Sequence, residues 1–284
     1  MRIVFFGEDA FSVIVLESVI KSGHEVVAAY CPIYNNNIYI RLQSFCERNL
    51  IHFERISDFN DKSLIEKFRS FSIDVIVVCH FQKILKQELI ELPKYGSINL
   101  HPSLLPLYRG MSPQHWPIIN GDSETGITVH FIDEGVDTGD IIVQKKLSIG
   151  QDTYVFDLQN QMKIIYATIV KEALEIIESL KGNYFKQSDL KGSYFGRLRK
   201  SNCFIIENMS TKDAYNLIRG VSFPYFGARV ENYIVWKASI IDPDRSINYK
   251  PQNKKFGLVT SGNDKFIRLY DGMLKIEKSD IYEK

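Results

Sequence analysis

Three polar side chains between residues 97 and 140 have types that together suit acyl transfer from an activated amide to an amine. Asn99 and His101 stand two positions apart in the short run INLHP, and Asp137 lies in the later acidic loop DEGVDTGD. An attacking amine must lose a proton while the carbonyl oxygen gathers negative charge. Imidazole titrates near neutral pH and suits the proton transfer or the oxyanion, and a carboxamide donates hydrogen bonds without carrying charge. Asp137 would orient the imidazole, favour its cation or hold a relaying water.

Strand geometry predicts where these residues lie. Side chains alternate along a strand, so Asn99 and His101 are expected on one face at the carboxyl end of a strand, where open α/β sheets bind ligands. The run Gly126–Ile132 predicts a second strand, and Asp137 reaches His101 if the two strand ends are neighbours. Purely structural roles are the alternative, because a His before Pro, a turn-capping Asn and a loop Asp are all common. Spacing alone leaves both interpretations open.

Two longer strings carry a resemblance. INLHPSLLPLYRG and TGITVHFIDEGVDTGDII resemble, in order and spacing, the signature of the folate-dependent formyltransferases, across roughly residues 1 to 185. That family includes methionyl-tRNA, glycinamide ribonucleotide and sugar-nucleotide formyltransferases. The resemblance implies that Asn99, His101 and Asp137 are catalytic and that 10-formyltetrahydrofolate is the formyl donor.

The same resemblance assigns donor-binding residues. In the family, the loop after the fourth strand binds the pterin ring through backbone groups; here it is HFQKIL, residues 80 to 85. The implied folate contacts are Ile84, Leu85, Asp133, Gly135 and Val136. The alternative for Ile84 and Leu85 is packing under the next helix. Methionyl-tRNA formyltransferases commonly have Tyr-Gly where this chain has Phe81-Gln82, which favours the sugar-modifying relatives.

Residues around the same opening are predicted to contact the acceptor. Arg109 is the candidate for a phosphate or carboxylate, because guanidinium presents a fixed fork of donors, although a solvated loop Arg is an equal alternative. The predicted acceptor contacts are Asp9, His80, Gln82, Ser103, Arg109 and Gln114. No metal is expected, since one His, one Asp and one Asn make a poor ligand set.

The order of elements predicts the fold. Apolar runs alternate with helical patterns through residue 80, and DVIVVC is apolar on both faces, as in a central parallel strand. We therefore predict an α/β protein with a Rossmann-like, doubly wound parallel sheet and a smaller β-rich carboxyl-terminal domain. The predicted boundaries are 1–185 for the catalytic domain, 186–209 for a connector and 210–284 for the β-rich domain.

Composition limits the classes of function. The formal net charge is +1 and 45% of the 284 residues are hydrophobic, which is ordinary for a soluble enzyme and demands no polyanionic partner. No apolar run approaches the roughly 20 residues of a membrane span, and the first residues do not form a secretory signal. The four cysteines have no zinc or C-x-x-C spacing, so we expect a reduced, cytoplasmic location.

Three functions compete. The first is formyl transfer to a nucleotide-linked, dTDP-type amino-dideoxy sugar in O-antigen or related glycan synthesis, with no nucleic-acid or membrane partner and a homodimer as the expected assembly. Residues 203–284 support it, because thirteen Lys and Arg against ten Asp and Glu are few for a tRNA-binding surface. The second is methionyl-tRNA formyltransferase, which a stripe of Lys250, Lys254, Lys255, Lys265 and Arg268 would favour. The third is a non-catalytic binding module. The identity of the sugar and the position of its amine are not predicted.

Overall fold

The computed structural model describes residues 1–8, 10–33, 40–179, 183–187, 191–241 and 255–282. The chain divides into two compact units, neither of which is continuous in sequence. The first unit contains Met1–Gly110, Gly126–Leu147 and Gln161–Tyr194, and the second contains Met111–Thr125, Ser148–Asn160 and Phe195–Lys284. The contiguous domain boundaries drawn from the sequence stay a prediction.

A seven-stranded sheet forms the centre of the first unit, with strand order β3-β2-β1-β4-β5-β7-β8. Its strands are β1 (Arg2–Gly7), β2 (Glu25–Pro32), β3 (His52–Ile56), β4 (Val75–Cys79), β5 (Ser97–His101), β7 (Glu124–Phe131) and β8 (Ile141–Ser148), with the two-residue β6 (Arg109–Gly110) lying outside it. Every residue of β4 is buried, as its uninterrupted apolar sequence predicts. The pairs β1–β2, β2–β3, β1–β4 and β4–β5 are parallel.

The helices of the first unit, which flank this sheet, are α1 (Ala10–Lys21), α2 (Ile40–Arg48), α3 (Lys62–Ser70), α4 (Gln87–Ile90) and most of α6 (Val155–Glu178). The second unit contains α5 (Trp116–Ile119) and α7 (Thr211–Val221). Asp61 caps α3 by accepting from the Ser63 and Leu64 amides, and Leu64 and Phe68 pack against Phe6 of β1 in the core. The predicted α/β fold with a separate β-rich sheet is confirmed.

One strand direction differs from the simple parallel pattern. β7 runs antiparallel to β5, with Asn99 opposite His130 and His101 opposite Thr128. The carboxyl end of β7 therefore lies beside the amino end of β5, and the condition of neighbouring strand ends, under which Asp137 would reach His101, is not met. β8, a strand that was not predicted, is the next strand in the sheet.

The second unit contains a five-stranded sheet covered by α7. Its order is β10-β11-β14-β13-β12. The strands are β10 (Ala228–Val230), β11 (Tyr233–Ile240), β12 (Gly257–Ser261), β13 (Asp264–Leu269) and β14 (Gly272–Ile281); the short β9 (Tyr194–Phe195) and a 3-10 turn (Lys200–Cys203) precede it. Ser210 caps α7 by accepting from the Asp213 amide. Ala214, Leu217 and Ile218 pack against Val235 and Leu274.

The last hairpin has a two-residue turn. Leu269 pairs with Gly272, so Tyr270 and Asp271 form the loop. The Asp271 carboxylate accepts hydrogen bonds from the amide and the hydroxyl of Thr211 at 2.7 Å. These hydrogen bonds join the turn to the start of α7.

A buried histidine in the second unit leads to a prediction about stability. His115 is 4% exposed, and its Nδ1 donates to the Gly220 carbonyl at 2.8 Å. Burial lowers the pKa of His115 from 6.5 to about 4. Because the unfolded chain binds the proton first as pH falls, this histidine destabilises the fold increasingly below pH 6.5. Linkage gives a loss of about 2 kcal/mol between pH 7.5 and pH 5.

We expect His115→Asn to remove that pH-dependent loss, because a carboxamide keeps a donor for the Gly220 carbonyl but does not titrate. Urea unfolding at the two pH values measures it. Both tryptophans, Trp116 and Trp236, lie in the second unit, so their fluorescence reports its unfolding. Any cavity cost of the smaller side chain is the same at both pH values and cancels in the comparison. Equal pH dependence in the variant and the natural protein would contradict the assignment.

Candidate active site

Strand β5 brings Asn99 and His101 to one face of the first unit's sheet. Leu100, between them, is buried on the opposite face of the sheet. His101 is also buried, with 4% of its surface exposed. Both side chains contact Asp137: the Asn99 amide nitrogen lies 3.3 Å from Oδ1, and the His101 Nδ1 lies 3.5 Å from Oδ2. The three residues are therefore one cluster.

The tautomer of His101 follows from its backbone partner. Nε2 lies 2.8 Å from the Tyr108 carbonyl oxygen, which can only accept, so Nε2 carries the hydrogen. Burial lowers the pKa of His101, and the attraction of Asp137 offsets this only in part. The imidazole is thus neutral near neutral pH, and its Nδ1 lone pair faces Asp137. A proton arriving at Nδ1 would produce a cation held between a carbonyl and a carboxylate.

Asp137 is an ionised carboxylate in a tight turn. Burial by itself would raise its pKa, but a positive charge on His101 and the hydrogen bond from the Gly110 amide hold the pKa of Asp137 well below its ordinary value. The Gly110 amide donates to Oδ2 at 2.8 Å. The backbone of Asp137 is left-handed, with φ of 55°, a conformation that costs a non-glycine residue about 1 kcal/mol or more. Neighbouring contacts must therefore hold this residue in place.

A second histidine, absent from the predicted site, completes the cluster. His130 Nδ1 lies 2.7 Å from the Phe131 carbonyl oxygen, so Nδ1 carries the hydrogen and Nε2 is an acceptor. The Asn99 amide nitrogen lies 3.2 Å from that Nε2, and His130 Nε2 lies 3.6 Å from Asp137 Oδ1. Both N–H groups of Asn99 thus point toward His130 and Asp137. The pairing of Asn99 with His130 across β5 and β7 creates this contact, and the sequence signal for it was the alternation Thr128, His130 along the strand.

The loop after β7 carries Asp137 back to His101. Since β7 is antiparallel, residues 132–140 must fold back along the sheet before β8 begins. Gly139 permits this, because a Cβ there would lie 1.9 Å from the Phe131 carbonyl oxygen. Within the loop, the Asp133 carboxylate accepts from the Gly135 amide at 3.1 Å and from the Thr138 hydroxyl at 2.6 Å. Val136 is left 49% exposed.

The loop after β4 lies on the same side of the unit as the buried Glu8. Glu8 accepts from the Gln82 amide at 2.7 Å. The loop also places Ile84 with its side chain 78% exposed and its carbonyl accepting from Asn60 at 3.3 Å, whereas Leu85 is buried in the core. Two predicted folate contacts, Ile84 and Val136, are therefore exposed apolar side chains.

His80 is held by aromatic neighbours. Its Nε2 lies 2.8 Å from the Tyr166 hydroxyl, and its ring stacks on Phe11 with centroids 4.8 Å apart. Its φ of 50° is left-handed. These contacts fix the ring in one orientation.

The other predicted acceptor contacts belong to different units of the chain. Ser103 is fully buried and donates to the Leu107 carbonyl at 2.6 Å. Gln114 belongs to the second unit, where it donates to the Tyr225 hydroxyl at 3.2 Å. Asp9 lies outside the described residues, as do Lys250 and Lys254.

Arg109 is buried rather than solvated, at 8% exposed. Its Nε and Nη2 donate to the Gln187 carboxamide oxygen at 3.2 and 2.7 Å, and Nη1 lies 3.4 Å from the Tyr194 hydroxyl. Gln187 was not predicted.

Within the described residues, no group of three or more His, Cys, Asp or Glu side chains could hold a metal ion, and no helix is long and apolar enough to cross a membrane.

The fold and the cluster at the edge of β5 together define a group-transfer enzyme, and comparison with known proteins identifies its family. Residues 1–174 match the family model described as formyl transferase, and the chain belongs to that family. A methionyl-tRNA formyltransferase of Fusobacterium nucleatum is 33% identical over 228 residues, covering 78% of this chain and 73% of that protein. Another, from Alkaliphilus metalliredigens, is 33% identical over 299 residues, covering 100% of this chain and 87% of that protein.

Solved structures share the fold at lower identity. An N-formyltransferase from Helicobacter canadensis, in complex with folinic acid and dTDP-3-aminofucose, matches with a TM-score of 0.76 and 22% identity, covering 99% of this chain and 100% of that one. The sugar 3N-formyl transferase WlaRD, solved with dTDP and 5-N-formyl-THF, matches with a TM-score of 0.74 and 22% identity, covering 100% and 98%. In both cases the likeness includes the carboxyl-terminal part of the chain.

Proposed function

We propose that this protein transfers a formyl group from 10-formyltetrahydrofolate to the amine of a nucleotide-linked amino-dideoxy sugar, with dTDP as the nucleotide. The observation that carries formyl transfer is the neutral imidazole of His101, whose free Nδ1 faces an ionised Asp137 beside Asn99. An acceptor amine needs such a base when it becomes an amide.

The reaction follows from these groups. The amine nitrogen bonds to the formyl carbon, and the bond from that carbon to the folate nitrogen breaks. His101 Nδ1 takes the proton that the amine loses, and the proton ends on the departing folate nitrogen. While the imidazole is charged, Tyr108 accepts from Nε2 and Asp137 neutralises the positive charge. The Asn99 contact with Asp137 is long at 3.3 Å, so this N–H can turn to the oxyanion.

The donor is assigned to the two loops beside this cluster. The exposed Ile84 and Val136 suit an apolar ring, and backbone groups near Leu85, Asp133 and Gly135 suit its hydrogen-bonding edge. Folate compounds in both solved relatives support the assignment. These five contacts remain proposals, together with the acceptor contacts Asp9, His80, Gln82, Ser103, Arg109 and Gln114.

The proposal of a sugar acceptor rests on how much of the solved relatives' length this chain matches and on the charge of its carboxyl-terminal residues. Two solved sugar-modifying relatives correspond to this chain over 98% and 100% of their length. The carboxyl-terminal residues 203–284 carry only three more basic than acidic residues, which is small for a surface that must neutralise several phosphates of tRNA.

We also propose a cytoplasmic homodimer, and sedimentation as a monomer at micromolar concentration would contradict the dimer.

Methionyl-tRNA formyltransferase is the second candidate. A relative of that name is 33% identical and covers the whole of this chain, so sequence similarity favours it. The two candidates share the donor and the chemistry and differ in the acceptor alone. Acceptor identity therefore decides between them.

We expect turnover of a sugar nucleotide and none of methionyl-tRNA. The assay supplies 10-formyltetrahydrofolate with, in parallel, dTDP-linked 3-amino and 4-amino dideoxy sugars, a UDP-linked amino sugar and methionyl-tRNA. The reactive sugar also identifies the position of the amine. Turnover of methionyl-tRNA alone would contradict the sugar acceptor while preserving formyl transfer. Failure with every amine, by folded protein, would contradict formyl transfer itself.

A further inference from the structure

We infer that Gln187, oriented by the buried Arg109, is a positioning residue that holds Asp137 against His101. The inference deepens the proposed function and rests on it for its kinetic readout. Gln187 is 2% exposed and belongs to the same unit as the catalytic cluster. Its side-chain hydrogen bonds within the described part of the chain go to Arg109 and to the Asp137 loop, so its effect passes through the backbone of that loop.

Two hydrogen bonds connect Gln187 to that loop. Its amide nitrogen donates to the Gly139 carbonyl at 2.6 Å and to the Asp137 carbonyl at 3.2 Å. Asp137 has the left-handed φ of 55°, which neighbouring contacts must stabilise. The amide of Gln187 supplies two such contacts, one on Asp137 and one two residues later. Loss of both frees the turn to relax away from His101.

Arg109 determines which end of the carboxamide faces the loop. A guanidinium can only donate, so the oxygen of Gln187 must face Arg109 and its nitrogen must face the carbonyls. The reverse orientation would place N–H against N–H and oxygen against two carbonyl oxygens. The guanidinium of Arg109 therefore excludes the rotated orientation of the Gln187 carboxamide. A lysine, with its single compact charge, would orient the amide less firmly.

The residues beside Arg109 act on the same pair. The Tyr108 carbonyl accepts from His101 at 2.8 Å, and the Gly110 amide donates to the Asp137 carboxylate at 2.8 Å. Residues 108–110 therefore contact the imidazole directly, the carboxylate directly and the Asp137 backbone through Gln187. This short segment therefore fixes the positions of His101 and Asp137 relative to each other.

The test removes the donors of Gln187 without adding charge. In Gln187→Met the side chain keeps its approximate volume and loses both hydrogen bonds to the loop. Gln144→Met is the control for loss of a side-chain hydrogen bond, because the more exposed Gln144 also donates to a backbone carbonyl of this unit, that of Leu105 at 2.8 Å, but not to the Asp137 loop. Arg109→Lys is a conservative third variant and should give an intermediate effect.

The first readout is the pKa of His101, measured by NMR titration of histidine-labelled protein. His101 is faced by Asp137, His130 and His80, and only Asp137 raises its pKa among these three. Withdrawal of the carboxylate should lower the pKa of His101 in Gln187→Met and leave it unchanged in Gln144→Met. An unchanged pKa in folded Gln187→Met, or an equal fall in the control, would overturn the inference.

The second readout separates positioning from ligand contact. We expect kcat to fall about 10- to 100-fold in Gln187→Met, as for small misplacements of catalytic groups, with KM for the acceptor little changed. A raised KM for the acceptor at unchanged kcat in Gln187→Met would overturn positioning and make Gln187 a ligand contact. If the natural protein formylates no amine, the proposed function is wrong, and the titration still decides whether Gln187 positions Asp137.

Discussion

Replacement of His101 by asparagine is expected to lower kcat/KM for formyl transfer by about 10²- to 10⁴-fold. Asparagine can hydrogen-bond, but it has no group that takes up a proton near neutral pH. In the natural protein the Nε2 hydrogen is engaged by the Tyr108 carbonyl, so Nδ1 is the one site of the ring that can accept a proton. Steady-state kinetics with the acceptor identified above measures the effect.

His52→Asn serves as the control for the His101 variant. His52 is on β3 with its side chain 53% exposed, where it contacts Glu54, and it should tolerate the change. Circular dichroism would establish that both variants fold. Retention of more than about a third of the natural activity by folded His101→Asn would be incompatible with proton transfer at Nδ1.

Asp137→Asn is expected to lower kcat by roughly 10²- to 10⁴-fold, with a change in the pH profile as well. Both carboxylate oxygens face donors, the Gly110 amide at 2.8 Å and the Asn99 amide at 3.3 Å. A carboxamide must turn its own N–H groups against one of these donors. It also lacks the charge that stabilises the protonated imidazole during the reaction.

The pH profile distinguishes this explanation from simple misfolding. Asp137 raises the pKa of His101, which burial lowers. Without the carboxylate the pKa of His101 falls further, so the imidazole stays neutral to lower pH. The acid limb of kcat should then move to lower pH in Asp137→Asn. Asp264→Asn, which changes an exposed ion pair with Lys275, should leave the limb in place. A limb unmoved in both variants would contradict the role of Asp137.

Local sequence determined the residue types and the elements that carry them. The two-residue spacing of Asn99 and His101 put both side chains on one face because alternation is a local property of a strand. The uninterrupted apolar sequence of β4 and the apolar face of α3 likewise depend on neighbours a few residues away, and these elements occur as predicted. The Ser210 cap of α7 is also local.

Tertiary structure decided which side chains meet. Strand direction is set by packing across the sheet, so the antiparallel β7, and with it the contact of His130 with Asn99, could not be predicted from either strand alone. The return of Asp137 depends on Gly139 passing the Phe131 carbonyl, and its orientation depends on Gln187, fifty residues later. The spacing of these residues along the chain does not reveal any of these contacts. The sequence by itself therefore determined the residue types of the candidate site, and long-range packing decided their tautomers, charges and partners.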